Sequence, residues 1–559
     1  MKKITTLTIV SILFFSGLSY AQYLATWNYH YQHTTSPGFS NEGRKIAEDA
    51  SGNIYMLADV TSDLDPQGMH SANTYYYVTL SKFSTNGTLL NTINLDVAKM
   101  PINGYNMTSA FGLELDASAN IYIGYTVWSS ASSYDVVLAK YDNTLTNLWK
   151  NAYTLTGADA GVDFKLNQTT QTIYALMKNT AIQTNYSLIK SVPSNSSAVL
   201  VRSWMGSGII LKSLALDGAQ KAYVVGSSPK GTHTNAYVAE VSVLTNNLVW
   251  SSTFSQSTVL GDDVANQVTV GVDGKIYTVG TSYQGGWGDQ VVVLRNSPGN
   301  PHFDYVKILK TSASDNRGLQ INATENGWVY VGSASSTMVN LFRFPSNGVF
   351  TNASTVAYGP VPTGSYTAIT GVSLTSMKVS SAKNIYITGG VSATSASGSF
   401  TCSYLNKASV VFGNALVKVG GVTVEGEFNK NYEGLDLCLD YSKADVYWLR
   451  NFSDDTHNSE RVELLDVNVP APLRESQSSL TETAAQFSLS PNPANDRLKI
   501  QSDKNIVSVE IMDIAGNKVL SSPIGLTESV VDVSGLANGI YFCKVHFENQ
   551  DVIKRVVIQ

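Results

Sequence analysis

The segment Leu113-Glu114-Leu115-Asp116-Ala117-Ser118-Ala119-Asn120-Ile121-Tyr122-Ile123-Gly124 decides the fold, because relatives of it recur along most of the chain. An alternating stretch reaches an aspartate, turns through small polar residues, and leaves as an apolar stretch whose second residue is tyrosine. This pattern predicts two antiparallel strands joined by a turn that the aspartate carboxylate holds through backbone N–H groups. We favour that structural role of the aspartate over calcium binding.

The tyrosine recurs eight times at intervals of 49 to 67 residues, at Tyr55, Tyr122, Tyr174, Tyr223, Tyr277, Tyr330, Tyr386 and Tyr447. After each tyrosine strand come a polar loop, a third strand, a turn and a fourth strand. Four strands per unit at this period indicate the blades of a β-propeller. We therefore predict an all-β, eight-bladed propeller. Seven blades are the alternative, because residues 399–434 are irregular and the last copy is the weakest.

The stretch 23–31 resembles the fourth strand of a blade, yet no inner strands precede it. The last repeat supplies only three strands, near residues 434–439, 445–450 and 460–465. We predict that the first stretch completes the last blade. Such closure removes the open edges that an incomplete array would present to other chains.

Residues 1–21 have the pattern of a secretory signal peptide: two lysines, an apolar run, and a small-x-small cleavage site ending at Ala21. The run is too short and too interrupted for a membrane span, and we expect none after cleavage. The formal net charge is -6 and only 14% of residues are charged, without a lysine or arginine cluster. This composition argues against nucleic acid as a partner.

No catalytic motif is evident, so the catalytic residues stay unassigned, and we predict neither a metal site nor a cofactor, with calcium as a possibility. Adjacent Asp262 and Asp263 could bind calcium or serve a glycosidase, although a solvated turn is the more ordinary interpretation. Cys402 and Cys438 could form a disulfide or remain buried thiols.

Loop aromatics are the better indication of a binding site. Trp287 lies between glycines in a predicted loop, and Trp128 lies at a corresponding place in another repeat. Indole faces on loops can stack on sugars or anchor a protein partner. The alternative is that they fold back over a blade edge.

A polar stretch at residues 471–484 predicts a linker, which places the propeller at residues 22–470. Residues 485–559 contain about seven short strand patterns, which suggest a small β-sandwich.

Three motifs mark this tail: Ser490-Pro491-Asn492-Pro493-Ala494, Asp513-Ile514-Ala515-Gly516-Asn517-Lys518, and Leu536-Ala537-Asn538-Gly539-Ile540-Tyr541. They resemble the C-terminal type A sorting domain of cargo for the type IX secretion system of Bacteroidetes. The resemblance implies export through the periplasm, recognition of the tail by the secretion machinery, and delivery to the outer cell surface or the medium. Cys543 departs from the family, where an aliphatic residue is more typical. The residues that carry the sorting motif are Pro491, Asn492, Pro493, Asp513, Gly516, Leu536, Gly539 and Tyr541.

The sequence thus favours a secreted or surface β-propeller that binds a glycan or a surface protein. An extracellular carbohydrate-active enzyme, either a hydrolase or a lyase, is the second hypothesis. A structural envelope component is the third.

Overall fold

The computed structural model divides the chain into two compact units, Met1–Pro472 and Leu473–Gln559. The predicted signal peptide and linker lie outside the described residues, so their boundaries stay predictions. The residues that the structure describes are 24–31, 41–64, 70–100, 109–129, 133–153, 159–179, 182, 185–192, 198–218, 220–256, 261–311, 315–324, 327–348, 354–359, 368–380, 383–395, 398–410, 416–423, 430–439, 446–454, 459–468, 487–513, 518–546 and 551–559.

The first unit consists of antiparallel blades that follow one another along the chain, each beginning with its innermost strand. The first described strand is β1 (Leu24–Tyr31). The strands of blades 1 to 3 are β2 (Asn41–Glu48), β3 (Ile54–Leu64), β4 (His70–Phe83) and β5 (Leu89–Met100); β6 (Ser109–Leu115), β7 (Ile121–Ser129), β8 (Ser133–Tyr141) and β9 (Asn147–Tyr153); and β10 (Asp159–Asn167), β11 (Thr172–Asn179), β12 (Tyr186–Ser191) and β13 (Val199–Trp204).

Blades 4 to 6 repeat this order of four strands. Their strands are β14 (Ile210–Leu216), β15 (Lys221–Lys230), β16 (His233–Ser242) and β17 (Asn247–Phe254); β18 (Asp263–Val270), β19 (Ile276–Tyr283), β20 (Asp289–Asn296) and β21 (Phe303–Leu309); and β22 (Arg317–Thr324), β23 (Trp328–Ala334), β24 (Val339–Pro345) and β25 (Ser354–Tyr358).

Blade 7 is irregular because its inner strand is split into two pieces that both pair with the next strand. Its strands are β26 (Ala368–Val372), β27 (Ser376–Val379), β28 (Asn384–Ser395), β29 (Gly398–Val410) and β30 (Leu416–Thr423). Blade 8 contains β31 (Lys430–Leu439), β32 (Val446–Asp454) and β33 (Ser459–Asn468).

Strand β1 completes blade 8, as the sequence predicts. It pairs antiparallel with β33, from Leu24 opposite Asn468 to Tyr31 opposite Val462. The prediction of eight blades is confirmed, and the first and last strands of the propeller share one sheet.

Apolar clusters between neighbouring blades hold the ring together. Within the described residues, eight clusters link each blade to the next, and the cluster that joins blades 8 and 1 includes Ile46, Tyr77, Tyr447 and Leu464. The eight repeat tyrosines are at most 5% exposed. Burial between two neighbours explains why the tyrosine strands are apolar on both faces.

The inner strands share a β-bulge near the middle of the strand in blades 1 to 6 and in blade 8. One residue leaves the pairing ladder there, so its side chain is aimed differently from its neighbours. The residues that the register skips are Arg44, Phe111, Val162, Lys212, Asn266, Leu319 and Leu435.

The second unit is one five-stranded sheet that nearly closes on itself. Ala494 forms a bridge to Ile558, so the turn after the first strand meets the last strand. Its core includes Leu498, Ile511 and Cys543. The strands are β34 (Phe487–Ser490), β35 (Arg497–Met512), β36 (Lys518–Asp532), β37 (Gly539–His546) and β38 (Asp551–Ile558).

The sequence left open whether Cys402 and Cys438 form a disulfide. Within the described residues none is formed, and Cys402, Cys438 and Cys543 are thiols. Cys543 is fully buried and acts as a small apolar side chain of the tail core, where burial raises its pKa to about 12.

Candidate functional site

The Trp287 loop and Arg317 lie at the same end of the propeller. Because the strands of a blade alternate in direction, the loops between second and third strands lie at the same end as the beginnings of the inner strands. We call this end the upper face. It carries the loop that contains Trp287, between β19 and β20, and the first residue of β22, Arg317.

Trp287 stands on a short, well-bonded turn. Residues 285–287 form one 3₁₀ turn, and the backbone N–H of Gln284 donates to the carbonyl of Gly288 at 2.8 Å. Gly288 has a φ of +66°, which glycine adopts without strain. The amide of Gln290 donates to the carbonyl of Trp287 at 2.8 Å. The turn is therefore held from both sides.

The indole of Trp287 is not folded away over a blade edge. The residue is 55% exposed, and the ammonium of Lys310 lies 5.1 Å from the ring centroid. A cation at that distance fixes one side of the ring by a cation–π contact. Trp128 lies near the end of β7, opposite Tyr134, and its side chain falls outside the described residues.

Asp262 and Asp263 do not act as a pair. The carboxylate of Asp262 accepts the backbone N–H of Thr234 at 2.8 Å, whereas buried Asp263 accepts that of Gln256 at 3.0 Å. Burial raises the pKa of Asp263, opposed by the hydrogen bond from Ser282. Within the described ranges, no group of three or more His, Cys, Asp or Glu side chains is placed to hold a metal ion.

Asp289, two residues after Trp287, has a perturbed carboxyl group. Burial raises its pKa, the charge of Arg317 lowers it, and the charges of Asp262 and Asp315 raise it again. A half-buried carboxyl group with a raised pKa, two residues along the chain from an exposed indole, is a candidate acid, and the sequence alone did not single it out.

Four of the bulge residues, Arg44, Phe111, Val162 and Leu435, border one cavity. A cavity of about 250 Å³ is bounded by residues 43–45 and 110–111, Val162 and Leu435, which belong to four different blades. The guanidinium of Arg44 is fully engaged there, with Nε 2.6 Å from Asp59 and Nη2 2.6 Å from Glu42. The charge of Arg44 is therefore balanced by these two carboxylates, and Lys45 also borders the cavity.

The corresponding bulge residues of blades 4 and 5 bond to each other. Lys212, the bulge residue of blade 4, donates from Nζ to Oδ1 of Asn266, the bulge residue of blade 5, at 2.8 Å. The amide of Asn266 donates onward to the carbonyl of Gly318 at 2.8 Å. Lys212 and Asn266 were not recognised from sequence, since a bulge leaves no mark in the alternation of side chains.

The repeat aspartates are occupied within their own turns. Oδ1 of Asp116 accepts the backbone N–H groups of Ser118 and Asn120, both at 2.9 Å, and Oδ2 accepts the amide of Asn120 at 2.8 Å. The carboxylate thus closes the turn, as expected from the sequence.

The sorting-motif residues of the tail cluster at its turns. Asn492, between Pro491 and Pro493, accepts the backbone N–H of Val557 at 2.9 Å, which ties the first turn to the last strand. The remaining described motif residues have these places in the fold: Asp513 follows β35, Leu536 packs on the tail core, Gly539 begins β37, and the Tyr541 hydroxyl donates to the Ala537 carbonyl at 2.9 Å. Gly516 lies outside the described residues, and the role of these residues in sorting stays a prediction.

Residues 488–559 match the family described as the secretion system C-terminal sorting domain. The chain is a cargo of the type IX secretion system. Its tail directs the cargo to the cell surface or the extracellular space. In the part of the cargo that the structure describes, no helix has the length and apolar character needed to cross a membrane.

Solved structures with similarity to the cargo include three proteins. PorZ of Porphyromonas gingivalis, described as an essential surface component of the type IX secretion system, is 12% identical, with 92% of this chain and 81% of that chain covered and a TM-score of 0.35. A protein of unknown function from Bacteroides thetaiotaomicron is 10% identical, with coverages of 78% and 100% and a TM-score of 0.28. Sqt1 of Chaetomium thermophilum, bound to the N-terminus of ribosomal protein L10, is 10% identical, with coverages of 78% and 98% and a TM-score of 0.39. No curated protein has a matching sequence.

Proposed function

We propose that the exported propeller is a binding protein that recognises carbohydrate outside the cell, with Trp287 as its main contact. The observation that carries this proposal is an indole that is 55% exposed on a hydrogen-bonded turn. Large exposed aromatic side chains without a packing role are typical of recognition sites. The apolar face of a sugar ring is a fitting occupant, because it can stack on the indole while its hydroxyl groups remain hydrated.

The turn reduces the entropic cost of recognition. The backbone bond from Gln284 to Gly288 and the amide bond from Gln290 to Trp287 hold the loop before any ligand arrives. Lys310 restricts the ring itself. A site that is ordered in advance loses less conformational freedom on binding, which raises affinity without additional contacts.

The test is a glycan-array screen of the full chain with and without calcium, followed by calorimetry on the sugars retained. Trp287→Ala is expected to weaken binding about 10-fold to 30-fold, equivalent to about 1.4–2 kcal/mol. The matched control is Leu244→Ala, which removes a residue that is 71% exposed in the turn between β16 and β17, at the opposite face. Equal affinity of the two variants would refute the role of Trp287.

A second candidate function is carbohydrate cleavage, which the raised pKa of Asp289 favours. A general acid works best when its carboxyl pKa is raised toward the working pH, and burial together with neighbouring carboxylates shifts the pKa of Asp289 in that direction. The same retained sugars are incubated with the protein and assayed for new reducing ends and unsaturated products. Turnover that disappears in Asp289→Asn would establish the enzyme, whereas binding without turnover would establish the lectin-like role.

If no sugar is retained in either condition, the carbohydrate proposal is wrong. A protein partner on the Trp287 turn, or a structural role in the envelope, then becomes the explanation of the exported propeller. A pull-down from outer-membrane extracts with the wild type and Trp287→Ala distinguishes these two, because only a partner of the turn is lost with the indole.

A further inference from the structure

Strand β36 forms an open edge of the tail sheet. Among the described strands it pairs only with β35, so its other side has no partner strand among them. The remaining edges of the sheet are covered. Beside β38, the Ala494 N–H donates to the Val557 carbonyl, and the Gln559 N–H donates to the Ala494 carbonyl, both at 2.8 Å. At the four-residue strand β34, the Lys554 ammonium donates to the Phe487 carbonyl.

The solvated face of β36 is apolar at two positions where an antiparallel strand usually carries polar side chains. Leu526 is 64% exposed and Val530 is 54% exposed. Neither residue belongs to the apolar core of the tail, whereas Val531 does. The exposed pair therefore has no packing role inside the tail, and its burial would require a partner.

Exposed apolar side chains are concentrated in the tail. Fifteen large hydrophobic residues are exposed in the described parts of the chain, and five of them lie in the tail, although it is the smaller of the two units. The five are Val507, Val519, Leu526, Val530 and Phe542. Three of these belong to β36. Apolar surface that gathers on one open strand is typical of an interaction site.

Residues 526–532 are the part of β36 that is best suited to accept another strand. Pro523 lacks an N–H group and interrupts the edge before this stretch. Within the stretch, Leu526, Glu528 and Val530 share one face, because alternate residues of a strand point the same way. The carboxylate of Glu528 lies 2.8 Å from the ammonium of Lys499, so its charge is balanced. The edge therefore offers two apolar contacts separated by a neutralised pair.

The role of the tail indicates the partner. Residues 488–559 match the sorting domain, which directs the cargo to the surface through interaction with the type IX machinery. We propose that the machinery binds the tail by adding an extended segment of its own to the edge of β36 at residues 526–532. Main-chain hydrogen bonds supply affinity, and apolar side chains of the added segment opposite Leu526 and Val530 supply specificity. This inference concerns the tail and does not depend on the proposed carbohydrate binding.

The test follows the full chain in cells that possess the type IX system. The variant Leu526→Thr with Val530→Thr replaces both apolar side chains by polar ones that still favour a strand. We expect the fraction at the surface, measured by protease accessibility, to fall about 10-fold, with the chain retained in the periplasm. The matched control is Leu148→Thr with Val249→Thr, which changes two half-exposed residues on the edge strands β9 and β17 of the propeller and should leave delivery unchanged. Normal delivery of the tail variant would overturn the inference.

A second set of measurements separates docking from folding of the tail. Cys543 is fully buried in the tail core, so its slow reaction with a thiol reagent, followed by mass spectrometry of the tail peptide, reports an intact core. We expect the same slow reaction in the wild type and in the threonine variant. The conservative variant Leu526→Val with Val530→Ile keeps apolar side chains and should keep normal delivery. Loss of delivery in the conservative variant as well would contradict a docking role of these side chains.

A photo-crosslinking amino acid in place of Val530 identifies what lies against the edge during export. We expect a covalent adduct with a component of the type IX system, and none when the same amino acid replaces Val249. An adduct with a second copy of the chain would overturn the choice of partner and assign the edge to self-association. Absence of any adduct at Val530 would overturn the docking surface itself.

Discussion

The hydroxyl of Tyr122 donates a hydrogen bond to Oδ2 of Asp116 at 3.1 Å, which joins the repeat tyrosine to the repeat aspartate of the preceding turn. The ammonium of Lys140, opposite Tyr122 in the next strand, lies 4.8 Å from the ring centroid and 3.7 Å from the same carboxylate oxygen. The equivalent hydroxyl bonds in other blades are Tyr55 to Asp49 at 3.0 Å, Tyr223 to Asp217 at 2.8 Å and Tyr277 to Asp273 at 2.7 Å. The spacing of the sequence repeat therefore reflects a tyrosine–aspartate hydrogen bond inside each of these blades, which a lysine joins in blade 2.

Removing the hydroxyl of this tyrosine should weaken its blade. Tyr122→Phe is expected to lower the free energy of unfolding by about 1–2 kcal/mol, because a buried hydrogen bond to a charged acceptor is lost. Denaturant unfolding of the full chain measures the effect. The control is Tyr174→Phe, since the Tyr174 hydroxyl has no hydrogen bond among the described residues. Equal losses in the two variants would contradict the role assigned to the bond.

Asp116 should make the stability of the propeller depend on pH. Burial opposes ionisation of its carboxyl group, but hydrogen bonds from Asn120, Tyr122 and Ser118 outweigh burial and keep the pKa below the usual value of 3.8. A lowered pKa in the folded state stabilises the protein above the unfolded-state pKa, and this contribution is lost as pH falls through the folded-state pKa. Asp116→Asn should therefore destabilise the protein most near pH 7, and less as pH falls below about 4. Denaturant midpoints of the wild type and of Asp116→Asn, measured at pH 7 and at pH 3, check this expectation. The same difference between the two proteins at both pH values would contradict it.

Gly280 should be intolerant of substitution. A Cβ atom there would lie 2.0 Å from the carbonyl oxygen of Val264, at the bulge of β18. Backbone must move to admit even alanine, so Gly280→Ala should cost about 3 kcal/mol in the free energy of unfolding. Gly218→Ala is the control, because no atom lies within 4 Å of its added Cβ. Thermal unfolding measures the melting temperatures of the two variants. Equal values would contradict this expectation, because they would show that the bulge adjusts to the added Cβ atom.

Strand β1 should be required for a stable ring. Deleting residues 22–31 removes the pairing partner of β33 and leaves that strand as an open edge. We expect a lower melting temperature and concentration-dependent association, measured by calorimetry and light scattering. Deleting residues 474–483 of the predicted linker should change neither property. A monomeric variant with unchanged melting temperature would mean that β1 contributes little to closure.

The tail should determine the final location of the protein. Deleting residues 485–559 removes the whole matched sorting domain, so the propeller is expected to accumulate in the periplasm. Cell fractionation and surface protease treatment report its position. The full chain is the control, and surface exposure of the deleted form would contradict dependence on the tail.

The propeller could be predicted from sequence because its strongest signals are local. Each tyrosine strand is buried on both faces, and each turn aspartate bonds within a few residues of itself. The closing role of β1 was also predictable, since a fourth-strand pattern without inner strands needs a partner elsewhere. These features depend on neighbours in sequence or on a simple count of strands.

Features that depend on register could not be predicted. An extra residue in an inner strand looks like ordinary alternation, so Lys212 and Asn266 were not identified as bulge residues that bond to each other. In the tail, about seven short strands were expected, whereas the described residues of the tail form five. Polar residues 502–505 resemble a turn, yet β35 continues through them and only its register with β36 shifts. Long-range pairing overrides the local pattern there.

Because β1 pairs with β33, the propeller can close only after its last strand has been synthesised. Strand β33 is the last of the propeller to be made, and the sorting domain follows it along the chain. A polypeptide that stops early lacks the tail as well as any blades not yet made. Every chain that carries the complete sorting domain therefore already contains all the strands needed to close its ring, whereas a truncated, open-edged product lacks the sorting domain.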